Sequence, residues 1–260
     1  MLCGIREIDN QKVFASQSEK QHGPFLCPQC RQQLTLRKGH IKLHHFAHKP
    51  PVTCSHGEGE TEEHRKCKFG IYTSLSKNPH VTDLELEKSF GSVIADVYCR
   101  INNEPVAIEV QRSKLSVNDI TQRTKEYAKL GIYVLWVGLH NTRMKKAFVD
   151  KKLSPNAWEK WCHAAYFGRV YYWYQDDWLI PVHFAEHKLY VEYSEWYDYS
   201  GNLMSAGGFK RASKRFRTPN AANMIGIAMY FRGDSRSAWQ SGTISIPDCR
   251  LYRDILPNWW

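Results

Sequence analysis

The sequence predicts a mixed α/β protein with a central unit ordered α-β-β-β-α-β. A small Cys/His-rich module precedes that unit, and a β-rich, aromatic-rich segment follows it. Three observations lead there. Hydrophobic periodicity between residues 59 and 139 switches between helical and strand spacing in that order. Six of the twelve histidines and three of the eight cysteines lie from His22 to His56. Eight of the nine tryptophans and ten of the fourteen tyrosines follow residue 150. The expected divisions are 1–58, 59–148 and 149–260.

The elements of the central unit follow in order. A helix is expected over 60–75, because His64, Lys68, Ile71, Tyr72 and Leu75 share one face. Asn78-Pro79 ends it, since the residue before proline is pushed out of the helical region. Residues 81–88 alternate around Leu84 and Leu86, as a strand does. Gly91 punctuates, and a second strand is expected over 92–101. Asn102-Asn103 reads as a tight turn, because asparagine tolerates the left-handed backbone that two-residue hairpins need. A third strand takes 105–111. Ser116 is placed to cap a helix carrying Ile120, Arg123, Tyr127 and Leu130, which Gly131 stops. The apolar run over 132–137 has the continuous character of a buried parallel strand. The last β-α-β step should therefore be a right-handed crossover. Beyond the unit, 165–173 and 188–193 read as aromatic-rich strands.

Composition sets the outer limits. Hydrophobic residues make up 42% of the 260 and charged residues 24%, as in ordinary globular proteins. No apolar stretch approaches the roughly 18 residues of a membrane span. The first residues lack the apolar core of a signal peptide, so a reducing cytoplasm is expected. The cysteines then read as thiols or metal ligands rather than a disulfide framework. The formal net charge of +10 points toward a polyanionic partner.

Chemistry concentrates in the hairpin of the second and third strands. Ile94, Asp96 and Tyr98 share one face of the former, and Ala107, Glu109 and Gln111 one face of the latter. With a two-residue turn at Asn102-Asn103, Asp96 lies directly opposite Glu109. Opposed side chains have Cβ atoms about 4.5–5.5 Å apart. Two carboxylates that close repel unless protonated or neutralised by a cation, and a hard divalent metal does this with few protein ligands. The competing reading is an ordinary hairpin with solvated acids. Val93, Ala95, Val97, Ile108 and Val110 make its other face apolar.

An ordered set of motifs extends this reading. It comprises Cys27-Pro28-Gln29-Cys30, His45-Phe46-Ala47-His48, Cys54, Glu60-Thr61 with His64 and Lys68, Ala95-Asp96-Val97, Ile108-Glu109-Val110-Gln111, and Gly131-Ile132 leading into Tyr133-Val134-Leu135-Trp136-Val137. From about Phe25 to Leu139 the chain resembles the competence protein CoiA-like family, and its central unit resembles the PD-(D/E)xK nuclease fold, a restriction-endonuclease-like core. The resemblance implies metal-dependent hydrolysis of DNA phosphodiester bonds, in DNA uptake and processing or in defence against foreign DNA. It implies Asp96 and Glu109 as ligands of Mg²⁺ or Mn²⁺, with the Val110 carbonyl as a third. Glu60 adds an acidic contact to metal or water, His64 points at the same site, and Lys68 becomes a phosphate clamp or a stabiliser of the developing charge. Gln111 stands where the fold usually has lysine; it can orient a water but carries no charge. Ile94-Ala95 replaces the proline that gives the fold its name. The alternative is a binding protein on a degenerate nuclease fold, and RNA is a further candidate substrate.

Two other clusters complete the expectations. Cys27-x₂-Cys30 has knuckle spacing, and His45, His48 and Cys54 follow at zinc-ribbon distance. A structural Zn²⁺ takes four ligands; Cys27, Cys30, His48 and Cys54 are favoured, with His45 as substitute, and His44 and His56 as bystanders. The ribbon either braces the first helix or grips nucleic acid. Lys210, Arg211, Lys214, Arg215 and Arg217 follow Gly207-Gly208, which suggests a mobile basic loop for phosphate contacts. The aromatics of the last third either stack on single-strand bases or form core, and a protein partner would engage this third.

Overall fold

A computed structural model describes residues 1–51, 54, 57, 59–111 and 115–260. The N-terminal module is a five-stranded sheet in the order β2-β1-β3-β4-β5. Its strands are β1 (Cys3–Arg6), β2 (Lys12–Phe14), β3 (Phe25–Leu26), β4 (Gln33–Arg37) and β5 (His45–His48). Its small core gathers Phe25, Leu34, Leu36 and Phe46.

The central order appears as expected: α1 (Glu62–Leu75), β6 (Val81–Ser89), β7 (Ile94–Ile101), β8 (Glu104–Gln111), α2 (Val117–Lys129) and β9 (Tyr133–Leu139). Thr61 caps α1, its hydroxyl accepting from the His64 N–H, so the helix begins at Glu62 rather than at Glu60. Ser116 caps α2 through the Asp119 N–H at 3.0 Å. Asn102 and Asn103 both take positive φ, 48° and 68°, the geometry of a tight two-residue hairpin turn. The resulting register pairs Val97 with Ile108 and Tyr98 with Ala107. The paired register ends there, one residue short of Asp96 and Glu109. β8 pairs with β9 in parallel.

The helices α3 (Thr142–Asp150) and α4 (Ala157–Ala165) follow, then β10 (Val170–Gln175) and β11 (Trp178–Val191). The sheet does not end with the central unit. β10 pairs in parallel with β9, and β11 and β14 (Phe209–Ala221) extend the order to β14-β11-β10-β9-β8-β7-β6. Between β11 and β14 lies a hairpin of β12 (Ser194–Tyr197) and β13 (Leu203–Ala206), exposed along its whole length. The chain closes with β15 (Ile225–Gly226), β16 (Phe231–Arg236), β17 (Trp239–Ser241), β18 (Ile244–Ile246) and β19 (Cys249–Asp254). β19 reaches β9 at Leu251–Val134.

Two sequence expectations are corrected here. Residues 165–173 are not one strand: Ala165 ends α4, and the strand begins only at Val170, because Trp158, Trp161 and Cys162 recur at helical spacing and bury one face of α4. Lys210, Arg211, Lys214, Arg215 and Arg217 are not in a loop. They lie in β14, where Lys210 pairs opposite Tyr190, Arg211 opposite Leu189 and Arg217 opposite Glu186, with Lys214 and Arg215 in the register break between. The aromatics divide. Trp158, Trp161, Tyr166, Tyr171, Tyr172 and Tyr252 are core, whereas Tyr193, Trp196, Tyr197 and Tyr199 are exposed. Two of the core indoles have partners for their polar atom: Trp136 Nε1 donates to Thr124 Oγ1 at 3.1 Å, and Trp161 Nε1 to Thr121 Oγ1 at 3.0 Å.

Candidate nucleic-acid site and Cys/His centre

The hairpin β7–β8 ends beside the N-terminus of α1, and a cleft of about 440 Å³ opens between them. Glu60, His64, Lys68, Asp96, Val110 and Gln111 all line it. The helical spacing of His64 and Lys68 brings both onto Asp96. His64 Nε2 lies 3.2 Å from Asp96 Oδ2, and Lys68 Nζ lies 3.5 Å from Oδ1. The Val110 N–H donates to the same Oδ2 at 2.9 Å. Burial pushes the Asp96 carboxyl up, but His64, Lys68 and the Val110 N–H outweigh it and hold the group well below the usual carboxylate range.

Lys68 is buried and serves several carboxylates at once. It pairs with Glu60, and its Nζ lies 2.6 Å from Glu87 Oε1. Glu87 was not singled out by sequence reasoning. It stands at the end of β6 with φ 48°, and its two oxygens accept from the Leu2 N–H at 2.8 Å and the Cys3 N–H at 3.0 Å. Burial pushes Glu87 up while Lys68 pulls it down, and the balance rests at about 2. Lys12 Nζ donates to the carbonyls of Leu86 and Glu87. β1 thus docks on the edge strand β6 through an acid that alternation marks as solvent-facing. The only sequence signal was a lysine on the apolar face of α1, which needs a buried counter-charge.

Glu109 takes a different company. It is 1% exposed, and its carboxylate accepts from Arg123 Nη2 at 2.6 Å on both oxygens and from the Tyr127 hydroxyl. Both partners come from α2, one turn apart. From sequence alone Arg123 is one more residue of a helix face, at helical spacing from Ile120 and Tyr127. Burial pushes Glu109 up to about 7 against the pull of Arg123. The paired register of the hairpin stops at Val97–Ile108, and beyond it the two carboxylates serve different cations: His64 and Lys68 at Asp96, Arg123 at Glu109. Asp96 faces the cleft with α1; Glu109 is covered by α2.

Magnesium-like ions accept one or two carboxylates plus waters and phosphate oxygens. Asp96 fits that description. Glu109 does not join it while Arg123 and Tyr127 hold its oxygens. Among the described residues, the group that brings three or more metal-ligating side chains within 4.8 Å of one another is Cys27, Cys30, His48 and Cys54. That donor set, three thiols and one imidazole, suits tetrahedral zinc and not a hard cation. Cys30 Sγ lies 3.3 Å from His48 Nε2, and the Gln29 N–H donates to Cys27 Sγ at 3.4 Å. His45 stays outside the group, its Nδ1 lying 2.9 Å from the Leu43 carbonyl. His56 lies outside the described residues. The four favoured ligands thus converge; Zn²⁺ there would be structural, tying the β3–β4 knuckle to β5 and to the approach to α1.

Among the described residues, no helix is long and apolar enough to cross a membrane. No solved structure matches the chain. Among curated proteins, the competence protein CoiA of Bacillus subtilis (strain 168) is 27% identical over 136 residues, 52% of this chain. The matched region covers 36% of that protein's length. Residues 8–57 match the family described as competence protein CoiA, N-terminal domain. Residues 60–197, more than half of the chain, match the family described as competence protein CoiA, nuclease-like domain. With the Cys/His module, the carboxylate hairpin and the chain order all in place, the protein belongs to the competence protein CoiA family.

Proposed function

We propose that the protein is a nuclease acting on DNA phosphodiester bonds, with the α1/β7–β8 cleft as its active site and Mg²⁺ or Mn²⁺ as cofactor. The observation that carries this reading is Asp96, kept ionised at the floor of a cleft beside His64, Val110 and Gln111. A divalent ion held by Asp96 would polarise the scissile phosphate and lower the pKa of a bound water. The remaining work belongs to the chain. Lys68 and His64 hold Asp96 in its charged form, and Gln111 offers an amide to orient a water. Lys68 is a positioning residue on this reading, because its charge is already committed to three carboxylates. Competence-related processing of DNA is the setting that the family suggests, and defence against foreign DNA is the other.

A second reading has its own support. Arg123 and Tyr127 occupy Glu109, and Gln111 brings no cation. Both features suit a nucleic-acid-binding protein that has given up hydrolysis. The deciding assay compares wild type with Asp96→Asn, which keeps an oxygen for the Val110 N–H. Single-stranded, duplex and branched DNA and RNA are incubated with Mg²⁺ or Mn²⁺. Cleavage by wild type that falls at least about 100-fold in the variant supports the nuclease. No cleavage of any substrate, or equal cleavage by both proteins, supports the binder.

A further inference from the structure

A second cavity, of about 210 Å³, lies between α4 and β14, at the opposite end of the sheet from the hairpin. From β8 to β14 the sheet steps through four strand pairings, roughly 19 Å at about 4.8 Å each. This cavity is therefore a separate place from the cleft. Four cations line it: Lys160 from α4, and Lys214, Arg215 and Arg217 from β14. No carboxylate lines it, and among the described residues none of the four forms an ion pair with one. Four like charges around one hollow repel each other, and an anion relieves that repulsion.

The walls are built rather than accidental. Arg217 is anchored on both sides: its backbone pairs with Leu153 at 2.8 Å, and its Nη1 donates to the Ser213 and Phe216 carbonyls at 2.9 and 3.0 Å. His163 lines the cavity from α4. Its Nε2 accepts from the Phe184 N–H at 3.1 Å, which leaves the ring proton on Nδ1. Phe184 and Ile244 supply an apolar lining. Arg217 is partly buried, and there the apolar surround strengthens the pull on an anion, whereas Lys160, Lys214 and Arg215 are exposed around the mouth. The volume falls below the roughly 300 Å³ where drug-sized ligand sites begin. It suits one compact anionic group with a little apolar surface beside it, and not a nucleoside with its base.

We infer that the α4/β14 cavity is a phosphate-binding site, seating a single phosphoryl group that is either free or carried by a nucleic-acid strand. Guanidinium and ammonium donors are the ordinary partners of phosphate oxygens. The apolar lining would lie against a sugar edge. Further along β14, Lys210 and Arg211 continue the positive line toward the exposed aromatics of the β12–β13 hairpin. A strand anchored in the cavity would run in that direction.

The site is tested on the full chain carrying Asp96→Asn, with no divalent ion present, so that cleavage in the cleft has no bearing on the result. The probes are inorganic phosphate, followed by ³¹P line broadening, and a single-stranded oligonucleotide with either a 5′-phosphate or a 5′-hydroxyl. Lys160→Glu/Lys214→Glu should abolish the broadening or weaken oligonucleotide binding at least about tenfold, the scale of one charged hydrogen bond. Lys160→Arg/Lys214→Arg should keep both, which separates lost charge from lost fold. Loss in the phosphate arm alone identifies a free-anion site. Loss confined to the 5′-phosphorylated oligonucleotide identifies a strand end, and loss with both oligonucleotides an internal phosphate. If the charge-reversed protein matches its parent in every arm, the site does not exist.

Discussion

Replacing Lys68 by methionine tests the electrostatic design of the cleft directly. The ammonium is fully buried, and Glu60, Glu87 and Asp96 all lean on it. Methionine keeps much of the stem's volume and removes the charge, so packing loss is small. Glu87 gives the scale. Its pKa is drawn from 4.5 to about 2, a displacement worth about 3 kcal/mol. Removing one partner of a buried pair costs about 3–5 kcal/mol in general, which agrees. For a chain of this size each kcal/mol moves the melting midpoint about 2–4 °C, so Lys68→Met should melt roughly 6–20 °C lower at pH 7. The pH dependence carries the sign. A depressed carboxylate contributes stability that is complete above its unfolded value, 4.5, and disappears as pH falls through its folded value, about 2. The gap between wild type and variant should therefore be widest above pH 5 and close on acidification toward pH 2. Urea unfolding across that range, followed by circular dichroism, measures it. A variant less than about 1 kcal/mol weaker at pH 7, or a gap that ignores pH, would refute the idea that Lys68 neutralises this cluster.

Three further expectations can be measured with the same methods. Burial raises Glu109 from 4.5 to about 7, so the native state holds a proton there that the unfolded chain has lost, and stability should fall by about 3 kcal/mol as pH rises through that window. Glu109→Gln cannot titrate, and its stability curve between those pH values should be flatter by that amount; parallel curves would contradict the raised pKa. Cys27→Ser, or a strong chelator, should release one zinc and open the N-terminal module before the main sheet, because apparent zinc energies of about 10–16 kcal/mol exceed what so small a core supplies. Metal content together with amide exchange at Leu34 and Phe46 would report it, and unchanged protection in the metal-free protein would count against a structural ion. At Gly138, an added Cβ would come within 2.8 Å of the Trp158 and Tyr172 rings. Gly138→Ala should therefore cost about 1–3 kcal/mol by overpacking between β9 and α4, seen as a lower urea midpoint.

Local chemistry made much of this protein legible from its residues alone. Periodicity located α1, β6, β7, β8, α2 and β9. Two asparagines at a turn determined the hairpin register, because only residues tolerant of positive φ close a two-residue loop without splaying the strands. Knuckle spacing named the zinc-type ligands, since short-range sulfur and imidazole geometry is nearly encoded by spacing. What sequence could not supply was partnership across distance. Glu87 is a strand acid like any other until β1 covers its edge and Lys68 arrives from α1. Glu109 looks free for a cation until α2 packs down and delivers Arg123 and Tyr127. A basic run after two glycines reads as a loop until β11 offers it hydrogen bonds and α4 closes a cavity against it. For the two glutamates the deciding quantity is which charge a folded neighbour brings within 3 Å, and for the basic run it is which strand and helix pack against it; a charge's burial cost is known only once its surroundings have assembled.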